Sequence, residues 1–432
     1  MSRHHSRSVF LFPGQGGYTP GIFAATAETD PAVTRVLTDV DRTATALGGP
    51  EVCELLTDRD APSLTQLVTS DPARLHLAIF ATEMAAYTQL TAGDTGPDLL
   101  VGHSFGEFAA LTAAGCVDLH TGTSLVCQRD FALRAAGPVT GGMLSLSTGF
   151  RRAENLVAAV DDWHLALAAD NGPDQVVVSG PHEALDRLAA VADAAGVSSR
   201  RLQIPYPFHN RILGDAAERF QSQLDDLKIV APKTRVYSPT LSRYIETAED
   251  AARVFSRHLL QPVRFLEAVR VVHSDGYRRF VECGARSILV DLVNTAVAGA
   301  LTATPLRRRK APDKAVPAIA SDRNTVLPAE VPSDVPSAAP TPHVDLDPAS
   351  ASDVLRELRS LYAEAVGYPV DVFESGVELE ADLGIDSIRQ TELLNRALKK
   401  YEIPSLDVRI TEYTTLEAVA ALVSEQASAA AK

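Results

Sequence analysis

Cysteine is scarce in this 432-residue chain: four residues, with no CxxC spacing among them. That excludes a disulfide-stapled small fold and a thiolate metal centre, and leaves Cys53, Cys116, Cys127 and Cys283 as buried reduced thiols. Long apolar runs are missing as well, none approaching the roughly 18 residues of a membrane helix. The apolar stretch behind the basic N-terminus, Val9-Phe10-Leu11-Phe12, stops at Pro13-Gly14 and is too short for a secretory leader. Positive charge is in deficit, 40 Lys and Arg against 55 Asp and Glu for a net −15, which argues against a general nucleic-acid or anionic-membrane surface. The expected setting is cytoplasmic, with no metal and no nucleic-acid or membrane partner. What is present, 46% apolar and 22% charged residues, is a globular mixture, and the length suits two or three domains.

A local absence marks the main boundary. Between Pro305 and Pro348 the chain carries nine of its 26 prolines and no Phe, Trp or Tyr, so this segment cannot bury enough surface to offset its ordering entropy. Residues 305–349 are expected to form a linker, which if largely polyproline-II would span on the order of 100 Å. The basic cluster Arg307-Arg308-Arg309-Lys310 at its start reads as a solvated or docking stretch. No internal repeat is visible.

Within residues 1–304 strand-like and helix-like segments alternate, as in an α/β domain. The pentapeptide Gly102-His103-Ser104-Phe105-Gly106 follows an apolar run, Asp98 to Val101, and precedes a stretch of helix formers, Glu107 to Ala114. This is the pattern of a nucleophile elbow, although an ordinary tight βα turn has the same local signature. Ser8 to Phe12 is the expected first strand, followed by the turn Pro13-Gly14-Gln15-Gly16-Gly17, which lacks the GK[ST] ending of a phosphate loop and the full GxGxxG spacing. Residues 140–205 read as an inserted β-α-β-β-α-β unit. Its strands fall at Gly142–Ser147, Leu165–Ala169, Gln175–Ser179 and, at the edge, Leu202–Pro205, with a helix over Pro181–Ala195.

Five motifs, Phe12-Pro13-Gly14-Gln15-Gly16, Gly102 to Glu107, Arg129, Phe208-His209 and Gln261-Pro262-Val263-Arg264-Phe265, occur in the order and rough spacing of malonyl-CoA:acyl carrier protein transacylases. The resemblance to these acyltransferase domains of fatty acid and polyketide synthases covers about residues 8–300. It implies an α/β-hydrolase-like large subdomain with a ferredoxin-like insert. Thioester-to-thioester transfer through an acyl-enzyme needs an activated nucleophile and a base that later acts as an acid, and Ser104 and His209 match those positions. The family orients the base with a backbone carbonyl, here that of Gln261, where asparagine is often found. Backbone N–H groups of Gln15 and Phe105 are the oxyanion candidates. Arg129 matches the arginine that holds the free carboxylate of malonyl-type groups. Phe105, Tyr206 and Phe208 are the expected specificity positions, and the bulk of Phe105 favours unsubstituted malonyl.

Residues 350–432, with 15 acidic and 8 basic side chains, read as a small all-α domain of four-helix carrier type. Helices are expected over Asp353–Val366, Ser387–Tyr401 and Leu416–Gln426, with Ile388, Leu394, Leu398 and Tyr401 on the buried face and Asp386 and Glu392 free for basic partners. Leu383-Gly384-Ile385-Asp386-Ser387-Ile388 resembles the attachment site of acyl carrier proteins, which implies covalent 4′-phosphopantetheine on Ser387, with Asp386 capping the helix. The two halves together suggest a chain that loads its own carrier from malonyl-CoA, with a ketosynthase and a phosphopantetheinyl transferase acting in trans. Transfer to separate carriers and hydrolysis of stalled thioesters are the alternatives.

Overall fold

A computed structural model describes residues 7–306, apart from 94–95, 138 and 225–226, and in the C-terminal part 351–366, 373, 379, 385, 387–401, 403 and 413–430. The chain divides into two compact units, Met1–Lys310 and Ala311–Lys432. The basic cluster and almost all of the expected linker lie outside the described residues.

The strands are β1 (Ser8–Phe12), β2 (Leu99–Gly102), β3 (Gly142–Leu146), β4 (Ala166–Gly172), β5 (Gln175–Gly180), β6 (Ser199–Arg201), β7 (Val236–Ser238), β8 (Arg243–Ile245), β9 (Val263–Arg264), β10 (Arg279–Glu282) and β11 (Leu301–Ala303). Six of them form one sheet in the order β11-β10-β1-β2-β7-β8, parallel except for the β7–β8 pair. Its central strands are apolar throughout because both faces are covered. Phe10, Phe12 and Leu100 enter a core with Leu37, Ile79 and Phe80, while Val9, Leu11, Leu99 and Val101 face the other side toward Phe265, Val269 and Phe280. The register pairs Val9 with Leu99 and Phe12 with Gly102, so β1 and β2 end level. The loops that leave them therefore emerge side by side at the carboxyl edge, where open α/β sheets place their sites.

The insert has the expected order, with helices Phe150–Val160 and His182–Ala194 covering a sheet ordered β6-β3-β5-β4-β9. Leu144, Leu146, Val176, Val178, Leu185 and Leu188 fill its own core. Two details depart from the expectation. The edge strand is Ser199–Arg201, not Leu202–Pro205; only the Leu202 N–H extends the pairing, to the Met143 carbonyl at 3.0 Å. The polar run forms the strand because an edge needs only backbone groups, whereas Leu202 and Ile204 lie partly buried against the core that includes Phe208 and Leu133. In addition, β9, from beyond the insert, adds parallel to β4 through Ala169–Val263 and Asp170–Arg264.

In the C-terminal unit the described helices are Ala351–Val366, Ser387–Lys400 and Leu416–Ala430. They enclose Val354, Leu358, Tyr362, Leu394, Leu398 and Val423. Leu394 and Leu398 are buried as expected, but Tyr401 is half-buried and its hydroxyl donates to Glu357 at 2.8 Å. Any fourth helix, Asp386 and the side chains of Ile388 and Glu392 lie outside the described residues. Cys116, Cys127 and Cys283 are buried free thiols; Cys53 is free but only partly buried. No helix among the described residues is long and apolar enough to cross a membrane.

Candidate active site

Ser104 sits at φ 53° between the end of β2 and a helix that starts at Gly106, a left-handed conformation that a non-glycine residue keeps only when its surroundings impose it. The surroundings here are backbone. A Cβ on Gly102 would lie 2.4 Å from the Glu107 backbone, and one on Gly106 would lie 2.0 Å from the Phe12 carbonyl oxygen. The elbow is also tied down by hydrogen bonds. The His103 N–H donates to the Phe12 carbonyl (2.9 Å), and its Nε2 meets Asn171 Oδ1 at 2.7 Å. One turn on, the buried Glu107 carboxyl accepts from Ser238 Oγ (2.5 Å) and from the Thr240 N–H (3.1 Å).

His209 also has a positive φ, 59°. The next residue holds it there: Asn210 Nδ2 donates to the carbonyls of His164 (2.8 Å) and Ser179 (3.1 Å), while Asn210 Oδ1 accepts the Ile212 N–H (3.0 Å). His209 Nδ1 lies 2.7 Å from the Gln261 carbonyl and Nε2 lies 2.6 Å from Ser104 Oγ. A carbonyl only accepts, so the neutral ring carries its proton on Nδ1 and presents a bare Nε2 to the serine hydroxyl. Burial pulls the His209 pKa down to about 3, against an opposing pull from the Gln261 carbonyl and with further lowering by His103 and Arg129. The resting ring is thus neutral across the physiological range.

In the loop after β1, the Gly14 N–H donates to the buried Glu83 carboxyl at 2.6 Å and the Gly17 N–H to the Gly14 carbonyl at 3.0 Å. The N–H groups of Gln15 and Phe105 have no acceptor among the described residues. Arg129, from the helix Leu119–Ala135, is 1% exposed, which rules out a surface arginine. Its guanidinium lies between the rings of Phe105 (5.0 Å) and Phe208 (4.8 Å), and Tyr206 packs on Phe208 at 5.6 Å. The fork is not wholly open: Nε donates to His258 Nε2 (2.7 Å) and Nη1 to Asp130 Oδ1 (3.0 Å), which leaves Nη2 without a bond to any described residue. His258 Nδ1 in turn donates to the Phe255 carbonyl at 2.8 Å, and burial together with the neighbouring Arg129 holds this ring well below its ordinary pKa.

The structure therefore gathers Ser104, His209, Gln261, Phe105, Arg129, Phe208 and Tyr206 into one cluster. Ser387 is in the other unit, as the first residue of its helix. Several groups at the cluster escape sequence reading: His76, Asp130, His258, Glu83 and Asn210. The available signal was a polar residue inside an apolar run, as with His76 and Glu83 in Leu75 to Ala86.

The family model for the acyl transferase domain matches residues 9–328. The chain belongs to that family. A second model, for the phosphopantetheine attachment site, matches residues 356–423, so this acyltransferase is fused to a carrier domain. Over 298 residues the chain is 34% identical to a spectinabilin polyketide synthase system protein of Streptomyces orinoci, a match covering 68% of this chain and 8% of that protein. The chain spans a tenth or less of the first polyketide synthases it matches. It is 29% identical over 294 residues to the malonyl CoA-acyl carrier protein transacylase of Bacillus subtilis, covering 67% of this acyltransferase and 90% of the relative. Among solved structures, the acyltransferase domain from module 8 of the salinomycin polyketide synthase superposes with a TM-score of 0.63 at 27% identity, over 69% of this chain and 70% of the other.

Proposed function

We propose that this acyltransferase transfers a malonyl-type group from CoA through an ester on Ser104 to its own carrier domain, within polyketide or fatty acid-like biosynthesis. The observation that carries the proposal is the unbroken hydrogen-bond chain from Ser104 Oγ through the His209 ring to the Gln261 carbonyl, with the Arg129 guanidinium held between Phe105 and Phe208 beside it. As the Ser104 oxygen attacks the thioester carbon, its proton passes to His209 Nε2, and the resulting imidazolium is steadied by the Gln261 carbonyl at Nδ1. The N–H groups of Gln15 and Phe105, which have no acceptor among the described residues, receive the oxyanion. His209 then gives the proton to the leaving sulfur and CoA departs. In the second half-reaction the same nitrogen takes the acceptor's proton and returns it to Ser104 Oγ.

Arg129 Nη2 points the reading to an acyl group with a free carboxylate. Phe105 and Phe208, both packed on the guanidinium, crowd the α-carbon and favour unsubstituted malonyl. Ser387 would hold the phosphopantetheine, and a phosphodiester fits there because the residue opens a 14-residue helix whose N-terminal N–H groups favour an anion. That group supplies the thiol on which the acyl chain is delivered. A cytoplasmic setting, a phosphopantetheinyl transferase and a ketosynthase in trans belong to the same proposal.

Intact-protein mass spectrometry with peptide mapping tests it. Phosphopantetheinylated protein is offered malonyl-, methylmalonyl- and acetyl-CoA, alongside Ser104→Ala and Ser387→Ala variants. Malonyl on the Ser387 arm that depends on Ser104 is the expected result; acylation confined to Ser104, or none from any CoA ester, rejects self-loading.

A further inference from the structure

We propose that Glu83 is a positioning residue of the oxyanion hole: its carboxyl takes the Gly14 N–H and so sets the direction of the Gln15 N–H. This rests on the reading of Gln15 as an oxyanion donor and deepens it. The Gly14 carbonyl accepts the Gly17 N–H at 3.0 Å. Across the trans peptide from Gly14 to Gln15 the carbonyl and the N–H point opposite ways, so that bond aims the Gln15 N–H out of the turn. The turn is anchored at the other end of Gly14, whose N–H goes to Glu83 Oε1 at 2.6 Å and to no backbone carbonyl among the described residues. The same anchor sets the loop against the elbow. A Cβ on Gly14, which has φ 64°, would lie 2.7 Å from the Gly106 nitrogen and 2.8 Å from the His103 carbonyl oxygen. The stretches that carry Gln15 and Phe105 thus meet backbone to backbone, and a shift of one N–H relative to the other follows from any slack at Gly14.

Packing alone does not call for an acid at this position. Glu83 lies on the helix Pro72–Leu90 and is wholly buried, with Ile79, Phe80 and Met84 as buried apolar neighbours on the same helix. A carboxyl in such a core costs free energy that an apolar side chain of the same size would not. One of its oxygens, Oε2, is buried with no hydrogen-bond partner among the described residues, so the bond to Gly14 is what the side chain makes. Glu282 and Cys283, at the end of β10, are the titratable groups beside it. The Glu282 carboxyl is occupied by the N–H groups of Ile288, Leu289 and Val290, and burial keeps the Cys283 thiol neutral. Burial, with Glu282 adding to it, holds Glu83 well above the ordinary carboxylate range against the pull of the Gly14 N–H. It is therefore an uncharged acid at neutral pH, which anchors the loop without setting a negative charge beside the place where the oxyanion forms.

The test is rapid-quench mass spectrometry of first-turnover Ser104 acylation by malonyl-CoA and acetyl-CoA at neutral pH. It uses the phosphopantetheinylated full chain and its Glu83→Gln, Glu83→Met and Glu83→Asp variants, with each rate corrected for the folded fraction from circular dichroism. Glu83→Gln keeps an uncharged acceptor for the Gly14 N–H and should acylate at close to the wild-type rate. Glu83→Met fills the same space without an acceptor, and Glu83→Asp keeps the acid but shortens its reach. Both should lower the saturating rate on the order of 100-fold, the worth of one oxyanion donor, and equally with the two thioesters. The half-saturating concentration should stay within about twofold, because the lost interaction belongs to the transition state. Should Glu83→Met not fold, Glu83→Asp carries the same comparison. A folded Met or Asp variant that acylates at the wild-type rate, or a Gln variant as slow as they are, overturns the role of Glu83, as does a loss confined to the half-saturating concentration or to malonyl-CoA. Wild-type protein that forms no acyl-Ser104 from either ester overturns the transferase reading itself, and this proposal with it.

Discussion

At the scale of single residues, the elbow depends on absent side chains as much as on present ones. Gly106 is the clearest case, because the Cβ of an alanine there would sit 2.0 Å from the Phe12 carbonyl oxygen, a backbone atom at the carboxyl end of β1. Gly106→Ala is expected to destabilise the domain by at least the about 1–3 kcal/mol of an overpacked core, and to displace the Ser104 oxygen from His209. A denaturant melt combined with the rate of acyl-Ser104 formation checks both, with the rate falling on the order of 100-fold. Legibility at this scale is uneven for a physical reason. Ser104 and His209 sit in contiguous motifs, so their neighbours in sequence reveal them, and Arg129 is found by its place in the order and spacing of those motifs. His76, Asp130 and His258 come from three separate helices or helix ends and meet only in the folded core, each reading alone as an ordinary polar residue.

Among elements, the loop that follows the insert is the part most exposed to disruption. Asn210 bonds two carbonyls and one N–H, and the Ser179 oxygen it satisfies is fully buried. Asn210→Ala is expected to cost about 1–3 kcal/mol from unsatisfied buried groups and to slow acylation further by releasing the positive φ of His209. Circular dichroism melts and single-turnover acylation measure the two effects separately; a rate unchanged after correction for folded fraction would show that the loop holds itself. The helices and central strands were legible because apolar periodicity and buried runs are strong signals. The last insert strand was misplaced because an exposed edge leaves no apolar signature, and the addition of β9 to the insert was invisible because two-residue pairing carries no pattern.

For the acyltransferase as a whole, buried titratable groups set the response to pH. Burial raises Glu107 to about 7 and Glu282 to about 8, the latter despite three N–H donors from Ile288, Leu289 and Val290. Above about 4.5 the unfolded chain releases these protons before the native one, so stability falls as pH rises toward 8. His209 behaves oppositely: below about 6.5 the unfolded imidazole binds a proton that the native ring refuses until about 3, so stability falls as pH drops. The melting temperature is expected to peak between about pH 4.5 and 6.5, with Glu282→Gln flattening the alkaline limb. A scan rising steadily to pH 9 would contradict this assignment.

The pairing of β9 with β4 also bears on how such domains are recombined. Gln261, whose carbonyl faces the base, lies two residues before a strand that hydrogen-bonds to the insert rather than to the large sheet. A chimera cut at 140 and 205 would import a foreign insert while leaving its partner strand behind, and the mismatch would fall on the base and its support. Cutting after Arg264 carries the insert, His209, Gln261 and β9 across as one inherited block, and hybrids built that way are expected to retain acylation where the shorter exchange loses it.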